Sequence, residues 1–114
     1  VICDDADLGN AVKWAALSAF SNAGQRCASA SRVLVFESVY EKFREMFLAK
    51  VRGLKVGPAD GDDFGPVINE RQLKNMAAAV DAAKARGANV LTGGHRLDGS
   101  AFKNGFYYAP TVLE

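Results

Sequence analysis

Apolar positions in the first half of the chain repeat at helical spacing and predict two helices. The first covers residues 8–21, and Asp7 stands where an N-cap residue is expected. The apolar stripe of the second begins at Val39 and stops near Gly53. Ser38 is followed three residues later by a glutamate, so it predicts a capping box at the start of this second helix.

A third helix is predicted after a loop. Residues 53–66 contain two Gly-Pro pairs and two further glycines, which is typical of a connection without regular structure. Asn69 and Gln72 then form a pattern like a capping box, and an apolar helical face follows them. Gly87 stands where a glycine commonly ends such a helix.

Four short segments are predicted to be extended. Residues 1–3 form an apolar stub, and residues 31–36 are apolar on both faces, which favours a strand that is covered on both sides. Residues 89–92 and 106–113 are also strand-like, although Pro110 limits the last to an edge or irregular strand. The predicted order is β-α-β-α-α-β-β, which indicates an α/β layered architecture.

Composition narrows the class of protein and of partner. The 114 residues are enough for one domain, predicted over 1–114, and 49% hydrophobic with 24% charged residues is an ordinary globular mixture. The net charge of +1 offers no excess for a nucleic-acid backbone or an anionic membrane, so neither is expected as a partner. Two cysteines, Cys3 and Cys27, with no signal-peptide pattern, favour reduced thiols and a cytoplasmic location.

Cys27 is the candidate for chemistry. It follows a break at Gly24, between a predicted helix and a predicted buried strand, where catalytic groups of α/β sheets often lie. Its small neighbour Ala28 leaves space beside the sulfur, and Arg26 is a cation that favours a thiolate. From the spacing alone, a nucleophile and a structural cysteine in a tight turn both remain open.

Several motifs together resemble the NAD(P)-dependent aldehyde dehydrogenase superfamily. FSNAGQRC at residues 20–27 is similar to its active-site cysteine motif, and VICDDAD at residues 1–7 is similar to the segment that follows its Glu-Leu-Gly-Gly-Lys motif. The Gly-Pro pairs within residues 57–66 and the GG…GFY.APTVL pattern within residues 93–113 match two further family segments in the same order. The resemblance therefore runs from end to end.

The resemblance implies a mechanism and a set of site residues. The Cys27 thiolate would attack an aldehyde to give a thiohemiacetal, NAD or NADP would take the hydride, and hydrolysis of a thioester would release a carboxylic acid. Ser21, Arg26 and Ala28 would contact the substrate, which would be anionic if Arg26 binds a distal carboxylate or phosphate. Gln72 would lie near a cofactor ribose. Two alternatives to these roles remain open. Arg26 is a solvated or salt-bridged cation in one, and Gln72 is only a capping residue in the other.

The resemblance also implies that the chain is a partial catalytic domain. The family's general base, most of its cofactor site and its oligomerisation segments would lie outside these residues, with no cofactor-binding domain present. We therefore expect the fragment alone to be inactive and to self-associate, while its parent forms a homo-oligomer. The alternative is a non-enzymatic structural or interaction module that keeps this half of the fold.

Other polar residues are predicted to have no catalytic role. His95 follows two glycines in a turn and is expected at the surface. Asp60, Asp62 and Asp63 lack the spacing of a calcium loop, so they are expected in a solvated loop, and no metal site is predicted.

Overall fold

The computed structural model describes residues 1–114, which divide into two compact units, Val1–Gly53 and Leu54–Glu114. Its helices and paired short strands confirm the predicted α/β class. In chain order the elements are α1 (Leu8–Phe20), a short turn (Ser21–Gly24), α2 (Glu37–Arg52), α3 (Glu70–Ala85), β1 (Val90–Thr92), a second short turn (Ser100–Phe102) and β2 (Val112–Leu113). None of the helices is long and apolar enough to cross a bilayer.

The first helix follows its prediction to within one residue. α1 begins after Asp7, whose carboxylate accepts a hydrogen bond from the backbone N–H of Asn10 at 3.0 Å. This bond satisfies one of the amides that a helix leaves unpaired at its first turn. α1 ends at Phe20, one residue before the predicted end. Its buried positions, Val12 and Ala16, lie one turn apart and form the inner face.

The second helix begins at Glu37, so the capping box predicted at Ser38 is wrong. Phe36 is the N-cap residue, with extended backbone at φ −65° and ψ 140°, and no side chain caps this end. The physical reason lies in the preceding segment, because Phe36 is held extended by a bond from its N–H to the carbonyl of Ile2. The helix therefore starts directly after it and takes Ser38 into its first turn. The predicted end at Gly53 is confirmed.

Packing of α2 against α1 forms the core of the first unit. The rings of Phe43 and Phe47 stack with centroids 5.5 Å apart, and Phe20 at the end of α1 lies 6.4 Å from Phe47. Leu48 and Val51 are also buried on α2. Because Phe20 is the last residue of α1, its contact with Phe47 fixes the point at which the following loop leaves the core.

The strand predicted over residues 31–36 is wrong in extent. Only Val35 pairs, in a parallel bridge with Ile2, through bonds from Ile2 N–H to Leu34 O at 2.7 Å and from Phe36 N–H to Ile2 O at 3.0 Å. A single residue of the apolar stub meets this segment, so no continuous ladder forms. The predicted cover on both sides is also wrong, because Leu34 is 64% and Phe36 48% exposed.

The second unit contains α3, which starts and ends as predicted. The side chain of Asn69 accepts a hydrogen bond from the N–H of Gln72 at 2.9 Å, and Gly87 follows the helix with φ of +94°. That left-handed conformation is easily adopted by glycine. Leu73 and Val80 are buried on the inner face of α3.

The two strands of the second unit pair antiparallel, Val90 opposite Leu113 and Thr92 opposite Val112, with an irregularity between them. β1 matches its prediction, whereas β2 takes up only the last part of the predicted segment 106–113. Pro110 has no N–H for a ladder, so upstream of it only isolated bridges form. The buried hydrophobic residues of this unit are Phe64, Val67, Leu73, Val80, Tyr107, Tyr108 and Ala109.

Candidate active site

A left-handed turn connects α1 to the loop that carries Cys27. Asn22 has φ 54° and ψ 37°, Ala23 has φ 54° and ψ 33°, and Gly24 has φ of 72°. Asparagine and glycine tolerate this region, but alanine rarely adopts it because its Cβ approaches the neighbouring carbonyl oxygen. Three successive left-handed residues turn the chain sharply away from the helix axis within a few residues of the cysteine.

Hydrogen bonds at both ends hold this loop in place. The backbone N–H and the side-chain Nε2 of Gln25 each donate to the carbonyl oxygen of Asn22 at 3.1 Å. Further on, the N–H of Ala30 donates to the carbonyl oxygen of Ser18 at 3.3 Å. The loop therefore leaves α1 at Phe20 and returns to the last turn of the same helix.

Cys27 lies in a tight turn between these two attachments. The N–H of Ser29 donates to the carbonyl oxygen of Arg26 at 3.1 Å, which closes a four-residue turn with Cys27 and Ala28 in the middle. Cys27 is a free thiol and is exposed. Its own backbone N–H makes no hydrogen bond within the chain. Cys27 therefore combines an exposed free thiol with an amide N–H that has no partner in the chain.

An open cavity of about 210 Å³ adjoins this turn. All three of the predicted substrate residues, Ser21, Arg26 and Ala28, line it, and Cys27 lies between the last two without lining the cavity itself. The other lining residues were not predicted: they are Trp14, Leu17 and Ser18.

The unpredicted wall comes from one face of α1. Trp14, Leu17, Ser18 and Ser21 follow the i, i+3, i+4, i+7 spacing of a single helical face. Trp14 is 59% and Leu17 50% exposed, since the buried face of the helix is a different one. The sequence did contain a signal for this wall: Trp14 and Leu17 are large apolar residues that lie off the predicted buried face of the helix.

The electrostatic character of the cavity is set by cations. The guanidinium of Arg26 is exposed and has no ion pair within the chain, which fits a solvated cation as well as a substrate contact. Beside the cavity, the Nζ of Lys13 lies 5.4 Å from the centroid of the Trp14 ring. No carboxylate lines the cavity. The walls therefore offer apolar surface, hydroxyls and one unpaired cation.

Gln72, the predicted cofactor contact, lies in the second unit on the first turn of α3. Its backbone N–H donates to Asn69, which is the bond that the capping interpretation requires. Its side chain makes no hydrogen bond within the chain, so the reciprocal half of a capping box is missing. The half-buried amide thus keeps its donors and acceptor available for a ligand.

The remaining polar candidates serve local structure. His95 is exposed, with its Nδ1 3.2 Å from the carbonyl oxygen of Gly93. In the acidic loop, the Asp62 carboxylate accepts from Ala59 N–H at 2.9 Å and the Asp63 carboxylate accepts from Lys55 N–H at 2.7 Å. No group of three or more metal-ligating side chains is present.

Comparison with known proteins places these features in a family. The model of the aldehyde dehydrogenase family matches residues 1–114. A 3,6-anhydro-α-L-galactose dehydrogenase of Vibrio sp. strain EJY3 is 43% identical over 115 residues, which cover 99% of this chain and 24% of that protein. An α-ketoglutaric semialdehyde dehydrogenase of Bacillus subtilis strain 168 is 33% identical over 116 residues, covering 100% of this chain and 24% of that protein.

Solved structures agree with the sequence comparisons. Betaine aldehyde dehydrogenase of Staphylococcus aureus, in a complex with NAD⁺, superposes with a TM-score of 0.94 at 36% identity, covering 98% of this chain and 23% of that one. A 3,6-anhydro-L-galactose dehydrogenase in a complex with NADP also gives 0.94, at 41% identity, with 98% of this chain and 24% of that one covered. The chain thus spans about a quarter of the length of these relatives. It belongs to the aldehyde dehydrogenase family.

Proposed function

We propose that this chain is the nucleophile-bearing part of a protein that oxidises an aldehyde to a carboxylic acid with NAD⁺ or NADP⁺, and that Cys27 is the nucleophile. The observation that carries the proposal is the turn of residues 26–29, which presents an exposed thiol and an unpaired amide N–H beside an open cavity. Family membership supports the reaction type, since the relatives described above are named as dehydrogenases of aldehydes or sugars.

In the first step, the Cys27 thiolate attacks the carbonyl carbon of the aldehyde. A bond forms between Sγ and carbon, and the carbonyl electron pair moves to oxygen, which becomes an oxyanion. The unpaired N–H of Cys27 is a donor for that oxygen, and a preorganised donor of this kind lowers the barrier by about 3 kcal/mol in acyl-transfer enzymes. The thiohemiacetal then loses hydride to become a thioester.

Water cleaves the thioester, which releases the acid and restores the thiol. This step needs a general base, and the cavity lining contains no carboxylate or histidine. We therefore propose that the base is supplied by other parts of the enzyme and that the 114-residue chain alone is inactive as a dehydrogenase.

The nicotinamide cofactor, when bound, supplies the hydride acceptor. Among the residues of this chain, Gln72 fits a contact with it, because a side-chain amide without a partner in the chain can donate to and accept from ribose hydroxyls. Its role would be to bind and orient the cofactor rather than to take part in the chemistry.

The cavity supports an anionic aldehyde as substrate. Arg26 has no ion pair, so its guanidinium can form a bidentate contact with a distal carboxylate or phosphate. Trp14 and Leu17 offer an apolar surface for the carbon chain between the two ends of such a substrate. The hydroxyls of Ser18 and Ser21 remain for its polar substituents.

The assay that tests this function compares variants of the complete enzyme. Cys27→Ala is expected to lower NAD(P)-dependent aldehyde oxidation by at least about a thousandfold, because covalent catalysis is lost. Cys3→Ala, the matched control, is expected to leave the rate unchanged. Equal activity of Cys27→Ala and the unaltered enzyme would contradict the proposal and favour a non-enzymatic role for this segment.

The substrate class has its own test. Arg26→Gln is expected to raise KM for an ω-carboxylated aldehyde by about tenfold or more, because a charge-assisted pair is worth roughly 1.5–3 kcal/mol. KM for an uncharged aldehyde of the same length is expected to stay unchanged. An equal change for both substrates would assign Arg26 to the loop structure and not to the substrate.

We also propose that the parent protein is a homo-oligomer in the cytoplasm and that the isolated chain self-associates. Large exposed apolar side chains support self-association, among them Trp14, Leu34 and Phe36. Two free cysteines are compatible with a reducing compartment. Light scattering at increasing concentration tests the association, and a constant monomer mass would contradict it.

A further inference from the structure

Ser29 makes two hydrogen bonds to the same residue, Arg26, across the turn that presents Cys27. Its N–H donates to the Arg26 carbonyl oxygen at 3.1 Å, and its Oγ accepts from the Arg26 N–H at 3.2 Å. Ser29 is half-buried, whereas Arg26, Cys27 and Ala28 are exposed. Ser29, the half-buried end of the turn, thus holds Arg26, the exposed end, by one backbone bond and one side-chain bond.

The geometry of the peptide bond relates this clamp to the cysteine. The carbonyl of Arg26 and the N–H of Cys27 belong to one planar trans peptide, so they point in opposite directions. Because the carbonyl points into the turn to accept from Ser29, the N–H of Cys27 must point out of it. That outward N–H has no partner in the chain. The backbone bond therefore sets where the candidate oxyanion donor points.

The side-chain bond restrains the preceding peptide. The Arg26 N–H belongs to the peptide that joins Gln25 to Arg26, and the Ser29 hydroxyl holds it from the far side of the turn. With both peptides that flank Arg26 held, rotation about its backbone is restricted. The Arg26–Cys27 peptide, which carries the Cys27 N–H, therefore keeps its orientation. An alanine at position 29 would keep the backbone bond and lose only this second restraint.

We propose that Ser29 is a positioning residue that keeps the Cys27 N–H directed at the oxygen of the attacked carbonyl. The inference rests on the proposed role of Cys27 as nucleophile. Ser29 does not touch the reacting atoms in this scheme, and its hydroxyl acts through Arg26. Its loss should slow only those reactions of Cys27 in which an oxyanion develops.

Two reagents separate this role from a general effect on the loop. p-Nitrophenyl acetate acylates a thiolate through a tetrahedral oxyanion: the Sγ–carbon bond forms, the carbon–oxygen bond breaks and p-nitrophenolate leaves. Iodoacetamide alkylates the same sulfur by displacement of iodide, with no oxyanion. Both rates are measured at Cys27 of the complete enzyme by peptide mapping, which separates it from Cys3.

Ser29→Ala is expected to lower acylation of Cys27 by about fivefold, the size of one lost hydrogen bond, and to leave its alkylation unchanged. Ser29→Thr keeps a hydroxyl and should retain most of the acylation rate. Ser31→Ala is the matched control, because Ser31 is exposed and makes no hydrogen bond in the chain. It should change neither rate.

The results that overturn the inference are distinct from those that overturn the proposed function. If Ser29→Ala lowers both rates by the same factor, or lowers neither, Ser29 does not position the oxyanion donor, while Cys27 keeps its role. If Ser29→Thr behaves like Ser29→Ala, the hydroxyl is not the cause. If Cys27 of the unaltered complete enzyme acylates no faster than Cys3, the nucleophile is wrong and the inference fails with it.

Discussion

The two units of the chain use left-handed backbone in different ways. In the second unit every residue with clearly positive φ is a glycine, as at Gly87 and Gly93. In the first unit Asn22 and Ala23 adopt this conformation as well as Gly24. Glycine enters the left-handed region without strain, whereas alanine is strained there by about 1–2 kcal/mol. Left-handed backbone strain therefore occurs only in the segment that leads to Cys27. Strain of this kind is often found near functional sites.

Aromatic side chains show the same contrast. In the second unit Tyr107 and Tyr108 are 4% and 6% exposed. In the first unit Trp14 is 59% exposed and faces an open cavity. Both units bury aromatic rings in their cores, as the first does with Phe43 and Phe47, but the first also leaves the ring of Trp14 available to a ligand or to another chain.

The largest effect is expected at Gly93 of the second unit. A Cβ at this position would meet the carbonyl oxygen of Pro110 and lie 2.7 Å from Oγ1 of Thr111. Because the φ of +73° adds strain, Gly93→Ala should lower the free energy of unfolding by about 3 kcal/mol or more. Urea denaturation measures the change.

Gly87→Ala is the control for that substitution. Its φ is +94°, but nothing lies within 4 Å of an added Cβ, so only the conformational strain applies. The expected loss is about 1–2 kcal/mol. Equal losses at both positions would show that the close approach at Gly93 contributes nothing.

Gly24→Ala tests the left-handed turn of the first unit. An added Cβ would lie 3.0 Å from the carbonyl oxygen of Ala19, at a φ of +72°. We expect a loss of about 2 kcal/mol, smaller than that at Gly93, because a single tight contact adds to the strain. Stability that does not change would mean that this turn relaxes freely.

Ala23→Gly should have the opposite sign. Glycine removes about 1–2 kcal/mol of left-handed strain and adds about 0.4–1 kcal/mol of unfolded-state entropy, so a net gain of roughly 0.5–1 kcal/mol is expected. Ala79→Gly, on an exposed helical position of α3, should instead lose about 1 kcal/mol. Destabilisation by both variants would contradict the strain assigned to Ala23.

The smallest effect concerns alkaline pH and the second unit. Burial, with a further contribution from the charge of Asp81, raises the pKa of Tyr108 above its ordinary 10.0. Above pH 10 the unfolded chain therefore loses this proton while the folded chain keeps it, and stability falls as pH rises through the folded pKa. Tyr108→Phe should flatten this part of the stability profile. An equally steep fall in that variant would assign the effect to other groups.

Patterns that depend on local chemistry could be predicted from the sequence. Asp7 and Asn69 cap their helices as expected, because an N-cap needs only a short polar side chain and the amides that follow it. The role of Cys27 as nucleophile rests on its motif and stays a prediction. Ser38 fits the same local pattern but is not the cap, since a bond from the N–H of Phe36 to the carbonyl oxygen of a distant residue, Ile2, sets the start of α2.

Features that depend on distant partners could not be predicted. Val35 has the composition of a strand, yet it pairs only with Ile2, and composition does not reveal how many neighbours a strand has. The helical pattern predicts which face of α1 is buried, but it does not indicate that the exposed face with Trp14 and Leu17 lines a cavity. The left-handed conformation of Ala23 contradicts its intrinsic preference, so no propensity predicts it.

The most direct test of the role of Cys27 is mass spectrometry of the complete enzyme after a single turnover. The enzyme is mixed with an aldehyde and NAD(P)⁺, quenched in acid before the thioester is hydrolysed, and digested. We predict that the mass of the acyl group appears on the peptide that contains Cys27 and not on the peptide that contains Cys3. Formation of the carboxylic acid with the acyl group on Cys3, or with no acylated cysteine at any time, would contradict the assignment.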